Sequence, residues 1–136
     1  MLIILGVIIL DWVSKWWVIK NNWLYETNTG GAFSLLSELK WYLGIVIIIL
    51  ALLTGYWWRM RRRFKESEMV GLSLVLGGAV ANLIDRVFRS GVVDFIKIWV
   101  FPNFNLADVA ITAGLTLIIL SEVRSKYGTS GTNDSI

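Results

Sequence analysis

Four apolar runs of similar length, residues 2–19, 41–58, 69–84 and 106–123, restrict what this chain can fold into more than any other feature. A helix rising about 1.5 Å per residue needs roughly 20 residues to cross a hydrocarbon core of about 30 Å, so each run spans a bilayer or nearly does. The third and fourth are slightly short, as expected where helix ends lie among polar groups of the protein. A soluble fold is excluded by the remainder: 56% of the 136 residues are hydrophobic and eight are Trp, more apolar surface than a core of this size can hide. The predicted fold class is therefore an all-α membrane protein. One Pro, no internal repeat and no low-complexity tract predict a single integral domain over residues 1–127. Residues 128–136 are polar and rich in Gly, Ser and Thr, and predict a disordered tail.

Charge sets the expected orientation. The net charge is +3, but five of the thirteen basic residues sit together in Arg59-Met60-Arg61-Arg62-Arg63-Phe64-Lys65, directly after the second run. That clustering is a cytoplasmic topology signal rather than a nucleic-acid patch, and no nucleic-acid partner is expected. Arg124 and Lys126 after the fourth run agree, which places both termini in the cytoplasm. Residues 1–10 lack a basic segment, and the apolar character runs on past Asp11 without a small-residue cleavage site, so the first run reads as a span rather than a removed signal. Two loops, residues 20–40 and 85–105, then face outward, flanked by Trp16, Trp17, Trp23, Trp41 and Trp99 as interfacial aromatics. In the second loop, residues 92–101 are β-branched and aromatic with partial alternation, and predict a short strand. In the first, Asn28-Thr29-Gly30-Gly31 is a turn signal, and residues 32–39 predict a small surface helix.

The chain has no Cys and no His, which removes thiol nucleophiles, Ser-His pairs, histidine-held metals and disulfides. Any hydrolytic chemistry has to come from carboxylates, from Ser and Lys, or from a metal held by oxygen. Asp11 and Lys15 stand four apart in the first span and share a helix face, as a structural ion pair that fixes packing would. A Ser14-Lys15 nucleophile and base fails, because adjacent helical residues do not face each other. Charges inside a span also suit an ion- or proton-coupled transporter, although transporters commonly show a repeat. Gly77-Gly78-Ala79-Val80-Ala81-Asn82 ends the third span with small residues suited to close helix packing, and its amide needs a partner inside the protein. Asp85-Arg86 just beyond reads either as an interfacial ion pair and stop signal or as part of a site.

Asn105-Leu106-Ala107-Asp108 opens the fourth span, and from these residues alone helix capping is the plainer reading. Asp94 changes the balance. It sits in an apolar strand on the same outer side, and a strand turning back to the helix start brings the carboxylates of Asp94 and Asp108 together. Two carboxylates held close cannot both ionise cheaply, so one keeps a proton and the other serves as base toward a shared water. Such a pair hydrolyses an amide without His, Cys or metal.

The blocks Asp11-Trp12-Val13-Ser14-Lys15, Asn28-Thr29-Gly30-Gly31-Ala32-Phe33, Gly77 through Arg86, Val92-Val93-Asp94-Phe95 and Phe104-Asn105-Leu106-Ala107-Asp108 resemble, in order, five blocks of bacterial lipoprotein signal peptidase, or signal peptidase II. Trp12 stands where that family's pattern has Gln, and Ala81 where it has Gly. The resemblance implies a catalytic pair Asp94 and Asp108, with Asn82, Arg86 and Asn105 lining the site and Asn28 and Gly30 contacting substrate. Asp11, Lys15 and Asp85 are left as structural residues. It also implies a four-helix transmembrane bundle with a small extracytoplasmic β-cradle and a short interfacial helix, in the bacterial inner membrane, with no metal or other cofactor. The implied substrate is a prolipoprotein whose signal peptide is cut before a diacylglyceryl-modified cysteine. Membrane lipids and globomycin-type inhibitors are the other expected partners, and the chain is expected to act as a monomer.

Overall fold

The computed structural model describes residues 1–29, 42–60 and 62–127. Gly30, the surface helix expected over residues 32–39 and the tail 128–136 lie outside the described residues. In chain order the elements are α1 (Leu2–Lys20), β1 (Glu26–Asn28), α2 (Tyr42–Met60), α3 (Glu66–Arg89), β2 (Val92–Asp94) and α4 (Leu106–Tyr127). Among the described residues, α1, α3 and α4 are long and apolar enough to cross a membrane, and α2 is apolar over Gly44–Met60. The protein is thus a mostly helical membrane protein, with one two-stranded sheet among the described residues. Outward-facing Trp12, Ile48 and Ile119 are each more than half exposed, as side chains that face lipid should be.

Helix α3 outruns its apolar segment at both ends. Glu66 and Glu68 occupy its first turn and Arg86 and Arg89 its last, charges that complement the helix dipole. The Glu68 carboxylate accepts the Lys65 N–H at 3.1 Å, and the helix stops at Ser90, which is left-handed with φ 60°. Asp85, expected beyond the span, therefore lies inside the helix, where Gly78, Asn82, Asp85 and Arg89 recur along one face.

That face meets the antiparallel α4 at van der Waals distance because it is built of glycine. A methyl added at Gly78 would strike the carbonyl oxygen of Ala107 and come within 2.8 Å of Ile111 Cγ1. Seven residues earlier, Gly71 would meet Gly114 O at 2.6 Å, and a methyl on Gly114 would strike Gly71 O in return. Small residues at matched positions let the two backbones touch, which is how helices gain packing energy in lipid. Gly78→Ala cannot be relieved by a side-chain turn. It is expected to cost about 1–3 kcal/mol, as overpacking does, read as a lower thermal midpoint in detergent micelles. The second packing centre is apolar: Leu50 and Trp57 of α2 against Leu76 of α3, with Ile4 of α1 alongside.

Beyond the helices, β1 and β2 pair antiparallel, with Glu26 opposite Asp94, Thr27 opposite Val93 and Asn28 opposite Val92. The strand expected over residues 92–101 is shorter than the sequence pattern suggests. It leaves the ladder after Asp94, makes a bridge between Ile96 and Phe104, and turns back through residues 98–101. The turn closes through the Phe101 N–H on Ile98 O at 2.9 Å. That reversal delivers Asn105, the residue before α4, to the side of Asp94.

Candidate active site

Asn105 and Asp108 cap the start of α4 reciprocally. The Asp108 N–H donates to Asn105 Oδ1 at 3.0 Å, and the Asn105 N–H donates to Asp108 Oδ2 at 3.2 Å. This satisfies donors that a helix start leaves open. A third, the Ala107 N–H, is taken by Asp11 Oδ1 of α1 at 2.9 Å. The capping expected from the sequence is real, and it does not compete with a site role.

Once its Oδ1 holds the Asp108 N–H, the Asn105 amide can only present its NH2 group inward. It donates to Asp94 Oδ1 at 2.7 Å and to Asn82 Oδ1 at 3.1 Å. Asn82 in turn donates to Asp108 Oδ1 at 2.8 Å. On the far side of Asp94, Oδ2 accepts the Asn28 amide at 3.0 Å. Asn28 is paired with Val92, two residues from Asp94, and so lies on the same sheet face. The structure therefore joins Asp94 and Asp108 through Asn82 and Asn105, and each carboxyl group accepts two N–H bonds. Asn105 is fully buried, and Asn82 and Asp94 are nearly so, whereas Asp108 is half-buried.

Burial pushes the Asp94 carboxyl above its ordinary value of 3.8, and the neighbouring Asp108 charge pushes the same way. The Asn28 and Asn105 amides and the Lys15 charge oppose the rise without cancelling it. Asp108 opens onto a groove of about 950 Å³ that runs from the turn at Ile98, Phe101 and Phe104 along α4 to Leu117. From Asp108 to Leu117 the helix rises about 13 Å, and the lining is mostly apolar, with Asn103, Thr112 and Thr116 as exceptions besides Asp108 itself.

Behind the amides lies a buried ionic cluster. The Lys15 ammonium sits 2.6 Å from Asp11 Oδ2 and 2.7 Å from Asp85 Oδ2, and donates to Asn82 Oδ1 at 3.3 Å. Asp85 also pairs with Arg89 at 2.7 Å and receives the Val93 N–H at 3.4 Å. Of the two readings of Asp85-Arg86, the ion pair between them is not what forms. Asp85 bonds across to α1 and one turn along its own helix, because adjacent helical side chains diverge. Arg86 is half-buried and donates to the Asn82 carbonyl at 3.3 Å. Sequence reasoning missed β1 as a strand and Arg89 as a partner. The spacing of Asp85 and Arg89, one helical turn, was the available signal for the latter. Among the described residues, no group of three or more His, Cys, Asp or Glu side chains is placed to hold a metal ion.

A family model for Signal peptidase (SPase) II matches residues 3–124. A bacterial membrane enzyme solved by the in meso method at 2.3 Å superposes with a TM-score of 0.78 at 31% identity, covering 99% of this chain and 92% of its own. A second bacterial membrane enzyme, solved at 1.9 Å, gives 0.77 at 32% identity, covering 90% and 91%.

Proposed function

The chain belongs to the signal peptidase II family, and from that premise we propose that it is an aspartic endopeptidase that cuts diacylglyceryl-modified prolipoproteins just before the lipidated cysteine. The carrying observation is the pair Asp94 and Asp108, linked by the Asn82 and Asn105 amides at the mouth of an apolar groove. The groove suits an apolar signal segment or acyl chain that arrives laterally from lipid.

In this mechanism Asp108, which faces the groove, is ionised and takes a proton from water. The resulting hydroxide attacks the scissile carbonyl carbon while protonated Asp94 gives its proton to the carbonyl oxygen. Collapse of the tetrahedral diol then breaks the C–N bond: the proton held by Asp108 goes to the departing amine, and one diol hydroxyl returns its proton to Asp94 as the new carboxyl group forms. Asn82 and Asn105 hold both carboxyl groups in register, Asn28 steadies Asp94, and the remaining Arg86 donors, with Gly30 from the outer loop, engage the peptide backbone. The four helices form one bundle within a single domain, residues 1–127. The sheet forms part of an extracytoplasmic cradle, and the chain sits as a monomer in the bacterial inner membrane. Both termini are cytoplasmic, in keeping with the Arg59–Lys65 basic run, and the site lies near the outer face. Nothing favours coupled transport: the charges of α1 that suggested it are closed off against Asp85, Asn82 and the start of α4.

The test is incubation of the purified protein with a lipidated prolipoprotein. Expected is a shortened product on a gel and its loss with globomycin; an uncut substrate under conditions that keep the protein folded overturns the proposal. A pH dependence follows from Asp94. As a proton donor with a raised pKa, it is competent below that pKa, so kcat is expected to fall as pH rises through it. The stability sign is the same: the contribution of protonated Asp94 is fully present below the ordinary value of 3.8 and is lost as pH rises through the raised one. Asp94→Asn should flatten this loss of thermal stability with rising pH.

A further inference from the structure

Asn82 owes its usefulness to the direction of its amide. An asparagine side chain can turn over and exchange oxygen for nitrogen at little cost in shape, so something must choose. Here Oδ1 faces the Lys15 ammonium at 3.3 Å and the Asn105 amide at 3.1 Å, which leaves Nδ2 to donate to Asp108. An ammonium has donors only and cannot accept the reversed amide. Lys15 is fully buried, and its three N–H groups are used on Asp11, Asp85 and Asn82. A charged donor on Oδ1 also strengthens the opposite N–H as a donor.

We propose that Lys15, from α1, is a positioning residue for the peptidase reaction: it holds and polarises the Asn82 amide so that its N–H points at the Asp108 carboxylate. The inference rests on the proposed roles of Asp94 and Asp108 and adds a part to them. Lys15 touches no substrate and acts only through Asn82. Asp11 and Asp85 carry its countercharge, and Asp85 ties the same ammonium to β2 through the Val93 N–H.

The experiment compares four proteins in single-turnover and steady-state cleavage of a diacylglyceryl peptide: wild type, Asp11→Asn/Lys15→Met, Asn82→Ala and the triple variant. The first pair of substitutions removes one charge of each sign and leaves Asp85 paired with Arg89, so the fold is kept. Expected is a loss in kcat of about 10- to 100-fold, the scale of a misplaced catalytic group. KM should stay within about twofold of wild type, and the triple variant should be no slower than Asn82→Ala. If kcat of the neutral pair matches wild type, or if the losses multiply in the triple variant, the inference is overturned and Lys15 serves the fold alone. Asp11→Asn/Lys15→Gln, which keeps a polar neutral group in the same pocket, takes the place of the Met version if that one does not fold, and is read by the same non-additivity. Asp94→Asn and Asp108→Asn run in parallel. If either turns over fully, the catalytic pair itself fails; if both are dead and the losses multiply, only the role of Lys15 does.

Discussion

Asp94→Asn and Asp108→Asn are each expected to slow cleavage by about 10³-fold or more, within the range that a lost acid or base commands, yet to differ in stability. Both carboxyl groups accept two N–H bonds, so an asparagine in either place turns an NH2 group toward an existing donor. At position 94 the conflict is soluble. The new NH2 can face Asn28, whose side chain is exposed, so that water can meet the displaced N–H groups. At position 108 it is not. One oxygen faces the backbone N–H of Asn105, which cannot turn, and the other faces Asn82, whose amide is held by Lys15 and Asn105. An N–H is left against an N–H there, a cost of about 1–3 kcal/mol. Melting both variants in detergent micelles should therefore place Asp108→Asn below Asp94→Asn. Full turnover by either variant would refute the assignment of the pair.

Much of this site could be read from residue order. The apolar runs fix the helices, since nothing but a helix satisfies its backbone alone in lipid, and the observed ends fall within a few residues of the runs except in α3. Asp94 and Asp108 stand out because a chain without Cys or His has few other ways to hydrolyse an amide, but it is the resemblance to the signal peptidase II blocks that implies them as the catalytic pair. Treating capping and catalysis as alternatives for Asp108 was the weak step. A carboxylate has two oxygens, and here one caps the helix while the other joins the site. Of the two departures from the family pattern, Trp12 projects outward at 52% exposure, and Ala81 is buried beside an Asn82 whose amide still bonds Lys15, Asn105 and Asp108.

What escaped the sequence depends on partners distant in the chain. Glu26, Thr27 and Asn28 are all exposed and show no alternation; they form a strand only because β2, sixty-odd residues later, presents a free edge. The end of α3 was misplaced because Asp85 resembles a stop signal. It is instead drawn inside by a lysine from another helix, a contact with no local signature. The register of Gly78 on Ala107, seven residues from that of Gly71 on Gly114, likewise appears only when both helices are seen together.

Lys15→Met alone is expected to be the most destabilising single substitution in the chain, and Asp11→Asn added to it should restore most of the loss. Lys15 and Asp11 are almost completely buried, and so is Asp85. Removing the ammonium leaves Asp11, among the described residues, with only the Ala107 N–H, while Asp85 retains Arg89. Breaking a buried ion pair from one side costs about 3–5 kcal/mol, because the remaining charge has lost its partner and cannot regain water. Asn at position 11 has no charge to strand, and its side-chain oxygen can still accept the Ala107 N–H that anchors the start of α4. Replacing a whole buried pair by neutral groups of similar size is often close to neutral. Thermal unfolding of the two proteins side by side checks this. A double variant that melts no higher than Lys15→Met would mean that the cluster is held by shape rather than by charge, and that α1 is tied to α4 by something other than this pair.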